Sequence, residues 1–182
     1  MGFMNLSLPP ATRLIIICGL PGSGKTTLAK QLENFLDALR LCPDEWMNDL
    51  SIDLYDEARR AQIEAIQWQL GQRLLLRGIS VIVEWGTWGR SERDELRVRA
   101  REIGVAVELH YLHESPNELF RRIQARNMEI PPITENQILN WCRDFQVPDA
   151  EELALFDPKT LIPGEGNLED PLESVKTLVD QT

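Results

Sequence analysis

The sequence predicts an α/β fold, a doubly wound parallel sheet within one domain, on three observations. Short apolar runs rich in branched residues alternate with segments whose apolar residues recur every three or four positions, the signature of strand, helix, strand. Those runs are apolar throughout, as strands covered on both faces are. The chain has 182 residues, 43% hydrophobic and 26% charged, which suffices for a single sizeable core.

Met1 to Ala11, with Pro9 and Pro10, reads as a loose leader. Arg13 to Cys18 is the first strand, ended by Gly19. Leu28, Leu32, Phe35 and Leu39 space a helix over Thr26 to Ala38, and Leu39 to Cys42 is a second short strand. Ile52, Tyr55, Ala58, Ile63, Ile66, Leu70 and Leu74 predict one long helical region reaching Arg77, where Gly78 stops it. Ser80 to Val83 is the third strand. Ser91 with Asp94 is expected to cap a helix through Ile103, closed by Gly104, and Val105 to Leu112 is the fourth strand. Ser115, Pro116 and Glu118 open a helix to about Asn127; Pro131 and Pro132 break it, and Thr134 with Gln137 caps another reaching Phe145. The rest is Pro-rich and acidic, with a fifth strand expected at Thr160 to Ile162.

Composition excludes several classes. The net charge is -10, with 19 basic against 29 acidic residues, the wrong sign for a general binder of nucleic acid or anionic membrane. From Asp149 to Thr182 nine acidic residues face only Lys159 and Lys176, so the excess is concentrated in the tail. All 15 arginines lie before it, and guanidinium is the group that matches phosphate oxygens in bidentate geometry. The longest apolar run, Leu14 to Cys18, is far short of a membrane span, the N-terminus has no basic region or small-residue cleavage site, and Gly2 lacks the Ser or Thr at position 6 that myristoylation needs. Cys18, Cys42 and Cys142 are odd in number and far apart, which argues against a disulfide framework and a zinc site. A cytoplasmic protein is expected, with no membrane and no nucleic-acid partner.

Gly19-Leu20-Pro21-Gly22-Ser23-Gly24-Lys25-Thr26 matches GxxxxGK followed by Ser or Thr, directly after one strand and before one helix. Glycines let backbone N–H groups curl around phosphate oxygens at the positive end of the helix; Lys25 reaches the β and γ phosphates and the Thr26 hydroxyl ligates Mg²⁺. The expected ATP-binding set is Gly19, Gly22, Ser23, Gly24, Lys25, Thr26 and Thr27. No DxxG, NKxD or LSGGQ is present, and the chain is short for a motor with a helical lid domain. A compact nucleotide kinase-like domain is what these absences leave.

From about Arg13 to Phe156 the sequence resembles the small P-loop kinases that include phage polynucleotide kinase, zeta toxins and chloramphenicol phosphotransferase. The phosphate loop carries the resemblance, with Leu41-Cys42-Pro43-Asp44-Glu45-Trp46 after strand two, Val83-Glu84-Trp85-Gly86 after strand three and Arg121-Arg122-Ile123-Gln124-Ala125-Arg126-Asn127 before the lid. The resemblance implies a five-stranded P-loop NTPase sheet of order 2-3-1-4-5 with a helical lid at about residues 128 to 148; beyond it the composition leaves an acidic tail over 157 to 182. It implies that Asp44 accepts the proton of the acceptor hydroxyl, that Glu84 stands at the Mg²⁺ site with Thr26, and that Arg122 and Arg126, four apart on one helix face, contact the β and γ phosphates. Lys25, Asp44, Arg122 and Arg126 are thus the expected catalytic residues. The polynucleotide and zeta members carry an Arg three residues after the Asp, where this chain has Met47.

The expected activity is ATP- and Mg²⁺-dependent phosphoryl transfer to a hydroxyl of a small molecule. The alternatives are a polynucleotide 5′-hydroxyl kinase and a regulatory module that hydrolyses ATP slowly. Trp85 and Trp88 read either as a flat wall for an organic substrate or as core. Arg90 and Arg93 read as a solvated helix face. His110 and His113, on opposite faces of a strand, read as structural.

Overall fold

The computed structural model describes residues 11–126 and 131–162. Four strands, β1 Arg13–Cys18, β2 Leu39–Leu41, β3 Val81–Val83 and β4 Ala106–Tyr111, alternate with seven helices among these residues. The helices are α1 Lys25–Leu36, α2 Pro43–Asp49, α3 Glu57–Leu75, α4 Arg90–Glu102, α5 Pro116–Arg126, α6 Glu135–Asp144 and α7 Ala150–Leu153. All strands are parallel, in the order β2-β3-β1-β4, with Ile16 of β1 paired to Val83 on one side and Leu109 on the other.

Alternation along β1 decides what covers each face. Leu14, Ile16 and Cys18 pack with Leu41, Val81, Val83, Val107 and Leu109 under Trp68 and Leu75 of α3 and Leu96 and Ala100 of α4. Ile15, Ile17 and Ile82 face Leu28, Ala29 and Leu32 of α1 on the other side. Leu119 and Ile123 of α5 form a third cluster with Ile133 and Ile138. Because all strands run the same way, their carboxyl ends line one edge, which is where open α/β sheets place ligands.

The structure corrects four expectations. The sheet has four strands among the described residues, because Thr160 spends its hydrogen bonds on a side chain: its N–H and hydroxyl both donate to the buried Glu108 carboxylate of β4, at 2.8 and 2.7 Å. Asp157 closes the same edge, its N–H donating to the Val107 carbonyl at 2.8 Å while its carboxylate accepts from the Val107 N–H at 2.6 Å. The helical region expected from Ile52 begins only at Glu57, since Ser51 adopts a left-handed φ of 56° and the Asp56 carboxylate caps α3 by accepting from the Arg59 N–H at 3.0 Å. The residues before that turn form α2, with Pro43 at its start. Helix α4 is capped at Gly89, whose N–H donates to Glu92 at 2.9 Å, and not by Ser91 and Asp94, which lie inside it.

Arg93 is the fourth correction: it is fully buried. It donates to both oxygens of Glu152, at 2.6 and 2.9 Å, and to the carbonyls of Thr87, Trp88 and Gln146 at 3.0, 3.1 and 2.8 Å. Every face of the guanidinium is used. Residues 93, 96 and 100 share one stripe of α4, and the apolar residues at the last two positions mark that stripe as the buried one. The expected leader up to Pro10, the start of the expected lid at 128 to 130 and the tail from Pro163 onward lie outside the described residues.

Candidate active site

Strand β1 delivers the chain into the phosphate loop at Gly19, and the loop turns back into α1 within six residues. A side chain at Gly19 would bring its Cβ within 2.5 Å of the Leu112 carbonyl, so only glycine lets the loop lie this close to the end of β4. Gly24 sits at φ 100° as the N-cap of α1, and no side chain caps that helix. The first N–H groups of α1 are therefore left for an anion.

Lys25 folds over the loop, donating from Nζ to the carbonyls of Gly19 and Leu20 at 2.8 and 3.1 Å. Burial pushes its ammonium below the usual lysine range; Glu84 and Asp44 pull it back up, and Arg126 adds to the depression. The Thr26 hydroxyl donates to Glu84 Oε1. The other Glu84 oxygen accepts from Arg40 of β2 at 2.8 Å, and Arg40 also forks onto both oxygens of Glu45 at 2.6 Å.

Asp44, in the first turn of α2, pairs with Arg60 of α3 at 2.6 Å. From the opposite wall Arg122 reaches toward the Gly22 carbonyl at 3.5 Å while bound to Glu118 at 2.6 Å and Glu114 at 2.5 Å. Arg121, more exposed than Arg122, is held by Glu118 at 2.7 Å. Glu118 is held at about 2, chiefly by the hydrogen bonds from these two arginines.

One cleft of about 1310 Å³ runs from the phosphate loop to the face of α3. Gly22, Gly24, Lys25, Thr26, Thr27, Asp44, Glu84, Arg122 and Arg126 all line it, so the sequence-expected residues converge. Gly19 and Ser23 do not reach the cleft. Ser23 is buried and faces a smaller cavity of about 150 Å³ beside Tyr111 and His113. The two tryptophans resolve into different roles: Trp85 donates to Gln67 at 3.0 Å, whereas Trp88 meets Trp141 and Phe145 edge to face, and both also line the cleft. His110 is buried away from it against Glu108, at 2.8 Å.

Sequence reasoning missed Arg40, Arg60 and Glu64. Arg60, Glu64 and Trp68 recur every fourth residue along α3 and so share a stripe that turns to the cleft, a spacing visible in the sequence. Arg40 has no such signal; only the pairing of β2 beside β3 brings it to Glu84.

Residues 14–148 match the model of a family described as an AAA domain, AAA_33. The chain belongs to this family. Its fold is that of the small P-loop kinases: it shares a TM-score of 0.62, at 18% identity, with a crystal structure described as a putative kinase from Chloroflexus aurantiacus, covering 94% of this chain and 95% of that one. A gluconokinase from Sinorhizobium meliloti aligns with a TM-score of 0.53 at 21% identity over 79% of each chain. In sequence the chain is 29% identical over 168 residues to the adenylate kinase isoenzyme 6 homolog of Schizosaccharomyces pombe, covering 90% of this chain and 84% of that protein. No helix among the described residues is long and apolar enough to cross a membrane.

Proposed function

We propose that the protein is an ATP- and Mg²⁺-dependent phosphotransferase that moves the γ-phosphoryl group to a hydroxyl of a small molecule. The observation that supports this reading is the continuity of the cleft: the phosphate loop, the Asp44 carboxylate and the α5 arginines line one space with an aromatic wall beyond them. In a domain that only hydrolysed ATP, the carboxylate would orient a water, but the aromatic wall would have no partner.

In this reading the acceptor oxygen attacks the γ-phosphorus, the bond from the γ-phosphorus to the β,γ-bridging oxygen breaks, ADP leaves, and the hydroxyl proton passes to Asp44. Arg60 fixes which way the Asp44 carboxylate faces. Lys25 turns from the loop carbonyls to the β and γ phosphates, whose charge favours its ammonium form. Arg122 and Arg126 stabilise the charge that develops on the transferring group. The hydroxyl and carboxylate of Thr26 and Glu84 are hydrogen-bonded at the loop's rim, an oxygen donor set that suits a hard cation. Thr26 would hold Mg²⁺ directly and Glu84 through a bound water, since Arg40 already occupies one of its oxygens. When bound, the ion neutralises phosphate charge.

The test is calorimetric titration with Mg-ATP beside transfer of labelled γ-phosphate to small molecules. Lys25→Ala is expected to weaken ATP binding and abolish transfer with the melting temperature unchanged; equal affinity in variant and parent would overturn the assignment of the loop.

A further inference from the structure

The charges lining the cleft are segregated. On the phosphate-loop side the cations Lys25, Arg121, Arg122 and Arg126 outnumber one carboxylate, Glu84, which Thr26 and Arg40 already hold. On the side built by α2, α3 and α4, Asp44, Glu57, Glu64, Glu92 and Glu95 outnumber Arg60 and Arg99. Those two arginines are already committed, Arg60 to Asp44 at 2.6 Å and Arg99 to Glu95. A triphosphate belongs in the first half, and the second half repels a further anion. Met47, at the position where the polynucleotide and zeta members carry an Arg, is fully buried and contributes no cation there.

Glu64 stands apart from the other acids. It is half-buried on the stripe of α3 that faces the cleft, and among the described residues no donor or cation lies within hydrogen-bond or ion-pair distance of it. Burial pushes its carboxyl above the usual range; Arg60, already paired to Asp44, offsets this only in part, and Glu92 and Asp44 raise it further. Two more groups on the same wall are incomplete. Trp68 Nε1 and Thr87 Oγ1 have no hydrogen-bond partner, yet each residue is only 5% exposed and lines the cleft. Buried polar groups of this kind are satisfied by a partner with oxygens to offer. Trp68, Trp85 and Trp88 add ring surface, which attracts organic cations.

We propose that the phosphoryl acceptor is a hydroxylated organic cation, an amino alcohol or amino sugar, whose ammonium group pairs with Glu64 while its oxygens meet Trp68 Nε1 and Thr87 Oγ1. The assignment rests on the phosphotransferase reading above. The ammonium replaces the missing counter-charge of Glu64, and a neighbouring hydroxyl is carried toward Asp44.

Charge alone suffices to sort the candidate acceptors. The small-molecule extract of the source organism is passed over cation- and anion-exchange resins at neutral pH, and each fraction is incubated with the full chain and Mg-ATP labelled at the γ-phosphate. Labelled acceptor is expected only from the fraction retained on the cation exchanger. Label from the flow-through or the anion exchanger overturns the ammonium assignment and leaves the phosphotransferase standing. No label from any fraction, with Mg-ATP binding intact, overturns the phosphotransferase itself. With the active fraction, Glu64→Gln is expected to raise the half-saturating amount about tenfold, the worth of one charge-assisted hydrogen bond, with the limiting rate within about twofold. Glu64→Asp, which keeps the charge, recovers part of the loss, and ATP affinity is the same in all three proteins. An unchanged half-saturating amount in Glu64→Gln removes Glu64 from the proposal.

Discussion

Arg93 meets Glu152 at 2.6 Å, and Arg60 meets Asp44 at 2.6 Å, yet the two pairs live in different surroundings. The side chains of the first are 0% and 1% exposed, and the remaining donors of Arg93 end on backbone carbonyls; those of the second are 28% and 57% exposed and border the cleft. A fully enclosed pair with every bond made has nothing to offer a ligand. Its work is to clamp the loop after β3 and the segment after α6 onto α4. The open pair holds a carboxylate in orientation while leaving it reachable, which is what a proton acceptor in phosphoryl transfer requires. The same two functional groups at the same distance are thus closed to a ligand in one place and open to one in the other, and burial decides which; the proposed function uses the open one.

The comparison breaks most sharply at the clamp. Arg93→Ala leaves Glu152 charged and buried, and is expected to cost about 3–5 kcal/mol of folding stability, measured by urea unfolding. A loss under about 1 kcal/mol would mean that water reaches Glu152 and that the enclosure is illusory. At the open pair, Asp44→Asn is expected to lower transfer roughly 100-fold, the usual size of a general-base contribution, with ATP affinity and folding stability unchanged. Arg60→Ala, which frees the carboxylate without removing it, is expected to cost about tenfold, as for a positioning contact. If Arg60→Ala unfolds the chain, the two pairs are alike after all.

A third ionic cluster sharpens the comparison by pH. Burial alone would raise the Glu108 carboxyl, but the hydrogen bonds from His110, from the N–H and hydroxyl of Thr160 and from Arg13 outweigh it and hold the group at about 2. A folded pKa below the ordinary 4.5 means that this stabilisation is complete above about 4.5 and disappears as pH falls toward 2. Glu108→Gln is expected to flatten that stretch of the acid-unfolding curve. An unaltered curve would assign acid sensitivity to other carboxylates.

The phosphate loop was legible in the sequence because its chemistry is local: eight consecutive residues carry the glycines, the lysine and the hydroxyl, and the flanking strand and helix are set by their own periodicity. The doubly wound class was legible for the same reason, from wholly apolar strands alternating with helical stripes. The resemblance further pointed to Asp44, Glu84, Arg122 and Arg126 as sharing one site, and the cleft brings them together. What depended on distant partners was not legible. Thr160 to Ile162 has the composition of a strand, but Glu108, some fifty positions earlier, takes the hydrogen bonds its ladder would need. Arg93 resembles its solvated neighbours in composition until Glu152 and three carbonyls from other segments surround it. Arg40, Arg60 and Glu64 gain their places only when β2 lies beside β3 and α3 packs across the sheet. Local backbone preferences and apolar periodicity act within a few residues and can be read along the chain. Ion pairing, enclosure and cleft geometry depend on which segments tertiary packing brings within a few ångströms, and only the folded structure decides that.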